Sequence, residues 1–106
     1  MPWFQDNQNE IKKLLAPLAP VCEELWVFGS ALTKNIPNDL DILIIYKESI
    51  YKEMQAEVLK LESNTIKGIS FHFTKLLEEE FRGEYSFTIE VRKNRVLLWN
   101  KEGWKI

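Results

Sequence analysis

Two short runs in this sequence carry the residue types that phosphate chemistry needs. Val27-Phe28-Gly29-Ser30 is followed, after eight residues, by Asp39-Leu40-Asp41-Ile42, which continues into Leu43-Ile44-Ile45-Tyr46. A Gly-Ser turn between a strand and the start of a helix lets the backbone approach a triphosphate closely, offering unpaired N–H groups and a hydroxyl to its oxygens. Carboxylates at i and i+2 on a strand project to one face about 6–7 Å apart, which suits hard divalent cations bridging to phosphate oxygens. Each half alone is a common loop feature; the conjunction is the signal. The bland account makes Asp39 an Asx-turn or edge residue and Asp41 a solvated charge. Yet Asp41 is followed by Ile-Leu-Ile-Ile, and a carboxylate so deep in an apolar run is costly unless a cation or hydrogen bonds stabilise it.

These residues need elements to hold them. Glu24 to Phe28 is rich in β-branched and aromatic residues and stops at Gly29, which predicts a first strand with Gly29-Ser30 as its turn. Asp39 to Tyr46 begins polar and becomes continuously apolar, as a central strand does when both faces are covered except at one end. Ahead of both, Asn7 to Glu10 has the form of a capping box, and Ile11, Leu14, Leu15 and Leu18 follow at helical spacing. Pro17 and Pro20 should kink or end that helix. Ser49 is placed to cap a helix along which Tyr51, Met54, Val58 and Leu61 recur. Gly68 to Thr74 alternates, with Ile69, Phe71 and Phe73 on a covered face and Ser70, His72 and Thr74 on an open one. Leu76 to Phe81 predicts a helical turn or short helix, Tyr85 to Lys93 fits either strand or helix, and Arg95 to Asn100 supplies a last strand. The order is α, β, β, α, β, α, β.

The whole composition agrees with one folded domain over residues 1–106, with 45% hydrophobic and 28% charged residues. Fourteen Lys and Arg against sixteen Asp and Glu give a net charge of −2, so bulk electrostatics does not draw the chain to nucleic acid and any nucleotide contact is local. Cys22 and His72 are the single cysteine and histidine, which excludes an internal disulfide and a Cys/His zinc cluster. No run approaches the length of a membrane span and the N-terminus lacks a signal pattern. A cytoplasmic protein is expected. Trp3, Trp26, Trp99 and Trp104 read as packing residues, since nothing in the sequence interleaves them with basic ones. Glu78-Glu79-Glu80 reads as a solvated helical face.

Gly29-Ser30 followed by Asp39-Leu40-Asp41-Ile42 resembles the signature of the polymerase-β-type nucleotidyltransferase superfamily, and the short chain resembles its minimal nucleotidyltransferase branch. The resemblance runs from the first helix to Arg95-Val96-Leu97-Leu98-Trp99, with the specific part confined to the two runs. It implies an α/β (α+β) fold, a small mixed β-sheet with helices packed on one face. It also implies magnesium-dependent transfer of a nucleoside monophosphate from a nucleoside triphosphate, ATP first among them, to an acceptor hydroxyl or phosphate. Asp39 and Asp41 would then be the catalytic acids and hold two magnesium ions, while Gly29 and Ser30 would hold the triphosphate.

Two departures accompany the likeness. The loop between Ser30 and Asp39 is shorter than the family's and lacks its arginine-and-glycine pattern; Lys34 is the cation it offers toward phosphate. Family members also carry a third carboxylate on a neighbouring strand, acting as base and sharing one metal. The matching strand here offers Ser70, His72 and Thr74 instead. An imidazole can act as base near neutral pH, although a lone histidine on a polar strand face is more simply an exposed side chain. Glu90 is the other substitute, and its bland reading is a solvated charge. The expected activity is therefore a nucleotidyltransferase weakened by the missing acid. Its alternative is a catalytically impaired nucleotide-binding or antitoxin-like module that regulates a partner, for which the resemblance suggests a helical protein of the HEPN type. A chain with four Trp and six Phe is also expected to leave an apolar patch for a second copy or a partner.

Overall fold

The computed structural model describes residues 3–82 and 94–106. Six strands form one mixed sheet: β1 (Glu24–Phe28), β2 (Leu40–Tyr46), β3 (Thr65–Ile66), β4 (Ile69–Leu77), β5 (Arg95–Asn100) and β6 (Gly103–Trp104), in the spatial order β3-β4-β2-β1-β5-β6. The β2–β4 pair is parallel and every other neighbouring pair is antiparallel. Parallel neighbours need a crossover, and helix α3 (Tyr51–Leu61) lies in it.

The burial of β2 explains its place at the centre. Leu40, Ile42 and Ile44 are fully buried in the larger core, with Ile11, Leu15 and Leu18 from the N-terminal segment and Met54 and Val58 from α3. Leu43 and Ile45 point to the opposite face, where Phe81 of the five-residue helix α4 (Glu78–Arg82) closes a smaller cluster with Trp26, Phe28 and Leu76. A strand covered on both faces tolerates no polar residue until it leaves the cover; Asp41 marks that point. The main helical layer, α1 (Trp3–Asp6), α2 (Gln8–Leu15) and α3, packs on one face of the mixed sheet, as the resemblance implies.

Several local expectations are corrected. The capping box does not form: the Asn7 amide turns back and donates to the Trp3 carbonyl at 2.8 Å, because α1 precedes it and leaves that carbonyl to be satisfied. Helix α2 ends at Leu15 and the chain tightens into a 3₁₀ segment over Ala16–Val21, since Pro17 and Pro20 lack the N–H groups an α-helix would use. Ser49 caps nothing; it lies inside a 3₁₀ turn, Glu48–Ile50, ahead of α3. Strand β2 begins at Leu40, one residue later than expected, and β4 runs on to Leu77, so the acidic helix starts only at Glu78. Glu80 is not merely solvated, because its carboxylate accepts the Leu77 N–H at 2.9 Å and Glu78 meets Arg82 at 3.4 Å. The two-residue strands β3 and β6 carry too few residues for a periodic signal. The Tyr85 to Lys93 reading, with Glu90, lies outside the described residues.

Candidate functional site

At one end of the sheet four strands contribute one residue each to a single row. Phe28, the last residue of β1, pairs with Asp41 on one side and Arg95 on the other, and Asp41 pairs in turn with His72 of β4. Partners in register share a face. His72 Nδ1 stands 2.9 Å from Asp41 Oδ1, with the histidine side chain 64% exposed and the aspartate 21%. The Arg95 guanidinium lies over the Trp26 ring at 4.0 Å and the Phe81 ring at 4.9 Å, joining the row to the smaller core cluster.

The turn after β1 is built around the same carboxylate. Gly29 has a φ of +79°, a conformation that L side chains rarely adopt. A Cβ added there would stand 2.5 Å from Asp41 Oδ2, so glycine alone lets the carboxylate lie against the turn. Asp41 is thus held between Gly29 on one oxygen and His72 on the other. From Gly29 the chain enters a 3₁₀ turn to Leu32, with the Thr33 and Lys34 N–H groups donating to the Ser30 carbonyl at 3.2 and 2.9 Å.

Ser30 does more than line the turn. Its hydroxyl accepts the Asn38 N–H at 3.2 Å and donates to the Asp39 carbonyl at 3.5 Å, tying the far end of the loop back to its start. Asp39 is exposed, one position before β2, and continuing the β2–β4 register sets Ser70 level with it. The Lys34 side chain is exposed in the loop, and its carbonyl accepts the Trp3 N–H at 3.3 Å, which anchors α1 beside the site. The structure therefore brings Gly29, Asp41 and His72 together, places Ser30 and Asp39 at adjoining ends of one loop, and leaves Lys34 on its outer side.

Asp41 is not sunk in the apolar run: it lies where cover ends and already has a hydrogen-bonding neighbour in His72. The resemblance offered Ser70, His72 and Thr74 for that neighbouring position; which of them stands level with Asp41 depends on parallel register, which no local spacing encodes. Among the described residues no three of His, Cys, Asp and Glu converge as a preformed metal cage. Asp41 and His72 offer one oxygen and one nitrogen side by side, with Asp39 two residues before Asp41. Two side-chain donors in mutual contact fall short of a cage, so a divalent ion here would need most of its ligands from a bound phosphate and water.

A cleft of about 590 Å³ opens at the far end of β2 between Tyr46, Glu48, Ser49, Tyr51, Lys52 and Leu77. Tyr46 and Tyr51 lie there with ring centroids 5.5 Å apart, and burial, then Glu80 and its neighbours, raise the Tyr46 phenol above its ordinary value. Volume and chemistry point to opposite ends of the strand. The end with Asp41, Gly29 and His72 holds the groups that could contact phosphate and metal, and it is the candidate site.

The same architecture occurs in solved structures. A candidate nucleotidyltransferase from Sulfolobus solfataricus aligns over 96% of this chain and 88% of its own, with a TM-score of 0.60 and 24% identity. Weaker likenesses are to a complex of the tri-AMPylated HEPN toxin of Shewanella oneidensis with its MNT antitoxin, and to a toxin–antitoxin with AMP-PNP. The first has 19% identity and a TM-score of 0.49, covering 92% of this chain and 73% of that one. The second has 20% identity and the same TM-score, covering 91% and 75%. Neither of these two bears on the assignment of the fold, which rests on the first. No protein-family profile matches the chain. No curated protein matches it either. The chain thus has the nucleotidyltransferase fold.

Proposed function

We propose that this protein binds a nucleoside triphosphate together with divalent metal at Asp39 and Asp41 and transfers the nucleoside monophosphate to an acceptor hydroxyl or phosphate. The observation that carries this reading is the fit of Asp41 against Gly29, where any Cβ would collide with the carboxylate. The glycine leaves the exposed turn backbone and the carboxylate side by side, where a metal-bound phosphate can reach both.

In this reading the exposed backbone at Gly29 lets phosphate oxygens approach, and Ser30 fixes the loop so that Asp39 is presented beside Asp41. Lys34 adds a cation at the loop's outer side. A bound divalent ion would supply charge neutralisation and a Lewis acid at the triphosphate. The acceptor oxygen forms a bond to the α-phosphorus, the bond from that phosphorus to the bridging oxygen breaks, and pyrophosphate leaves with the electron pair; a hydroxyl acceptor passes its proton to solvent, and a phosphate acceptor has none to give. Calorimetry with ATP, GTP, CTP and UTP, each with and without magnesium, tests the proposal. At least one nucleotide should bind in a metal-dependent way, and the double replacement Asp39→Asn with Asp41→Asn should abolish it. Binding that ignores metal, or that survives the double replacement, refutes the assignment.

A second reading has its own observation. His72 stands where the family resemblance leads one to expect an acid, in register with Asp41. A chain that binds nucleotide but turns over slowly would serve as an antitoxin-like module beside a helical partner. Transfer of labelled nucleoside monophosphate separates the two: ordinary enzyme rates favour the transferase, while binding without transfer favours the module.

A further inference from the structure

The cleft at the far end of β2 has walls of a kind that the Asp41 end lacks: two aromatic rings beside unpaired acids. We infer that it is a binding site for an organic cation, a ligand carrying alkylammonium or guanidinium groups. It lies at the opposite end of the strand from Asp41 and stands apart from the reaction proposed there.

One crossover builds the walls. Tyr46 closes β2 and pairs in register with Leu77, which closes β4, and Tyr51 opens the helix that lies between these two parallel strands. The three side chains therefore meet at the carboxyl end of the parallel pair, and with Glu48, Lys52 and Glu53 they line a space of about 590 Å³. A space of that size suits a small ligand or a long side chain. The Tyr46 and Tyr51 rings, with centroids 5.5 Å apart and planes at 32°, stand too close to admit a group between them. A ligand would instead lie across the faces they turn to the cleft.

Charge decides which ligand. The face of an aromatic ring attracts a cation, and the carboxylates here reinforce that attraction: among the described residues Glu48, Glu53 and Glu79 enter no ion pair. Their field reaches the ring, since burial, then Glu80, Tyr51, Glu48 and Glu79, raise the Tyr46 phenol. Two neighbouring lysines are engaged elsewhere, Lys47 with Glu23 at 3.5 Å and Lys75 with the Gln55 amide oxygen at 2.8 Å. Lys52 lines the cleft but is exposed, and among the described residues it covers no ring and enters no ion pair. It opposes a cationic ligand without taking its place. An anionic ligand would meet Glu48, Glu53, Glu79 and Glu80 with Lys52 as its support, so the balance favours a cation.

Two probes test this on the intact chain by NMR titration at constant ionic strength. Spermidine stands for a free polyamine and N-acetyl-arginine amide for a basic side chain of a protein partner. Shifts should concentrate on residues 46–53 and on Leu77, and the probe that binds more tightly identifies the source. N-acetyl-citrulline amide, which keeps the shape of the arginine probe without its charge, should leave those signals unmoved. Glu48→Gln with Glu53→Gln should weaken binding about tenfold, Tyr51→Leu should weaken it about threefold, and Lys52→Ala should tighten it. All four side chains are exposed, and thermal melting checks that each variant remains folded. Shifts spread evenly over the acidic surface, at Glu23, Glu24 and Glu102 as much as at the cleft, would mean a diffuse ion atmosphere and overturn the inference. It also falls if neither probe moves the cleft signals at millimolar concentration, if the citrulline probe binds as well as the arginine one, or if Tyr51→Leu leaves the affinity unchanged.

Discussion

At the scale of single residues, Asp41 is the best-determined side chain in the site, because both of its oxygens have a neighbour. Gly29 meets one and His72 the other. Gly29→Ala should be damaging for two reasons: the positive φ is unfavourable for alanine, and its methyl would enter the space of Oδ2. A loss of about 1–3 kcal/mol in urea unfolding is expected, together with weaker metal-dependent nucleotide binding. A variant with unchanged binding would mean that Asp41 moves freely and that the turn does not position it. Replacing Asp39 and Asp41 together by Asn should leave the melting temperature of the unliganded protein unchanged or raised, since two neighbouring like charges repel. A marked fall would make the pair structural.

The secondary-structure elements divide the labour along β2. At its far end both faces are covered, and at its near end only the face of Leu40 and Ile42 is, which lets the same strand anchor the fold and present Asp41 on the other face. Strand β4 follows the same logic, with Phe71 facing the larger core while His72 beside it is exposed. Substitutions on this strand should therefore sort by face. Ser70→Asp or His72→Asp adds an acid level with Asp39 or Asp41 and should raise magnesium-supported transfer of labelled nucleoside monophosphate. The gain attributable to a general base is about 10²–10⁴-fold. Phe71→Asp should instead unfold the domain, since it buries an unpaired charge. If transfer stays undetectable in both acidic variants on the open face while binding persists, the protein is a binding module and not an enzyme.

At the scale of the whole molecule, Cys22 reports how well the core excludes water. It is fully buried, and burial above all pushes its thiol up to about 12, with Lys101 opposing and Glu23 and Glu24 adding. Because the folded value lies above the ordinary one, this contribution to stability is complete below about pH 9 and is lost as pH rises toward about 12. Urea midpoints at pH 8 and pH 10 should fall more steeply for the unmodified protein than for Cys22→Ala. Equal slopes would show that the thiol ionises as readily in the fold as outside it. The large apolar side chains exposed among the described residues, against the apolar patch expected from the sequence, are three: Ile36 (82%), Leu59 (58%) and Tyr51 (38%). Ile36 lies in the loop that leads to Asp39 and the other two on α3. No helix among the described residues is long and apolar enough to cross a membrane.

Local chemistry made much of this legible in advance. Strand β1 matches its expected span, and β2 misses by one residue because hydrophobic runs and a terminating glycine are written in adjacent positions. The Gly-Ser and Asp-Leu-Asp runs could likewise be found by residue type alone. The sequence was silent on which side chains meet in space, whether near or far along the chain. Asn7 looked like a cap until Trp3 proved to lie within reach, and the tryptophans looked free of basic neighbours although Arg95 covers Trp26, Lys101 Trp99 and Lys12 Trp104. For Asp41 the resemblance narrowed the neighbour to Ser70, His72 or Thr74, and only the register, between residues 31 positions apart in the chain, singled out His72. Residue types and their short-range spacing set which strands form and which acids could do chemistry. Which side chain stands beside those acids was decided by strand register, a consequence of how the crossover packs over the sheet.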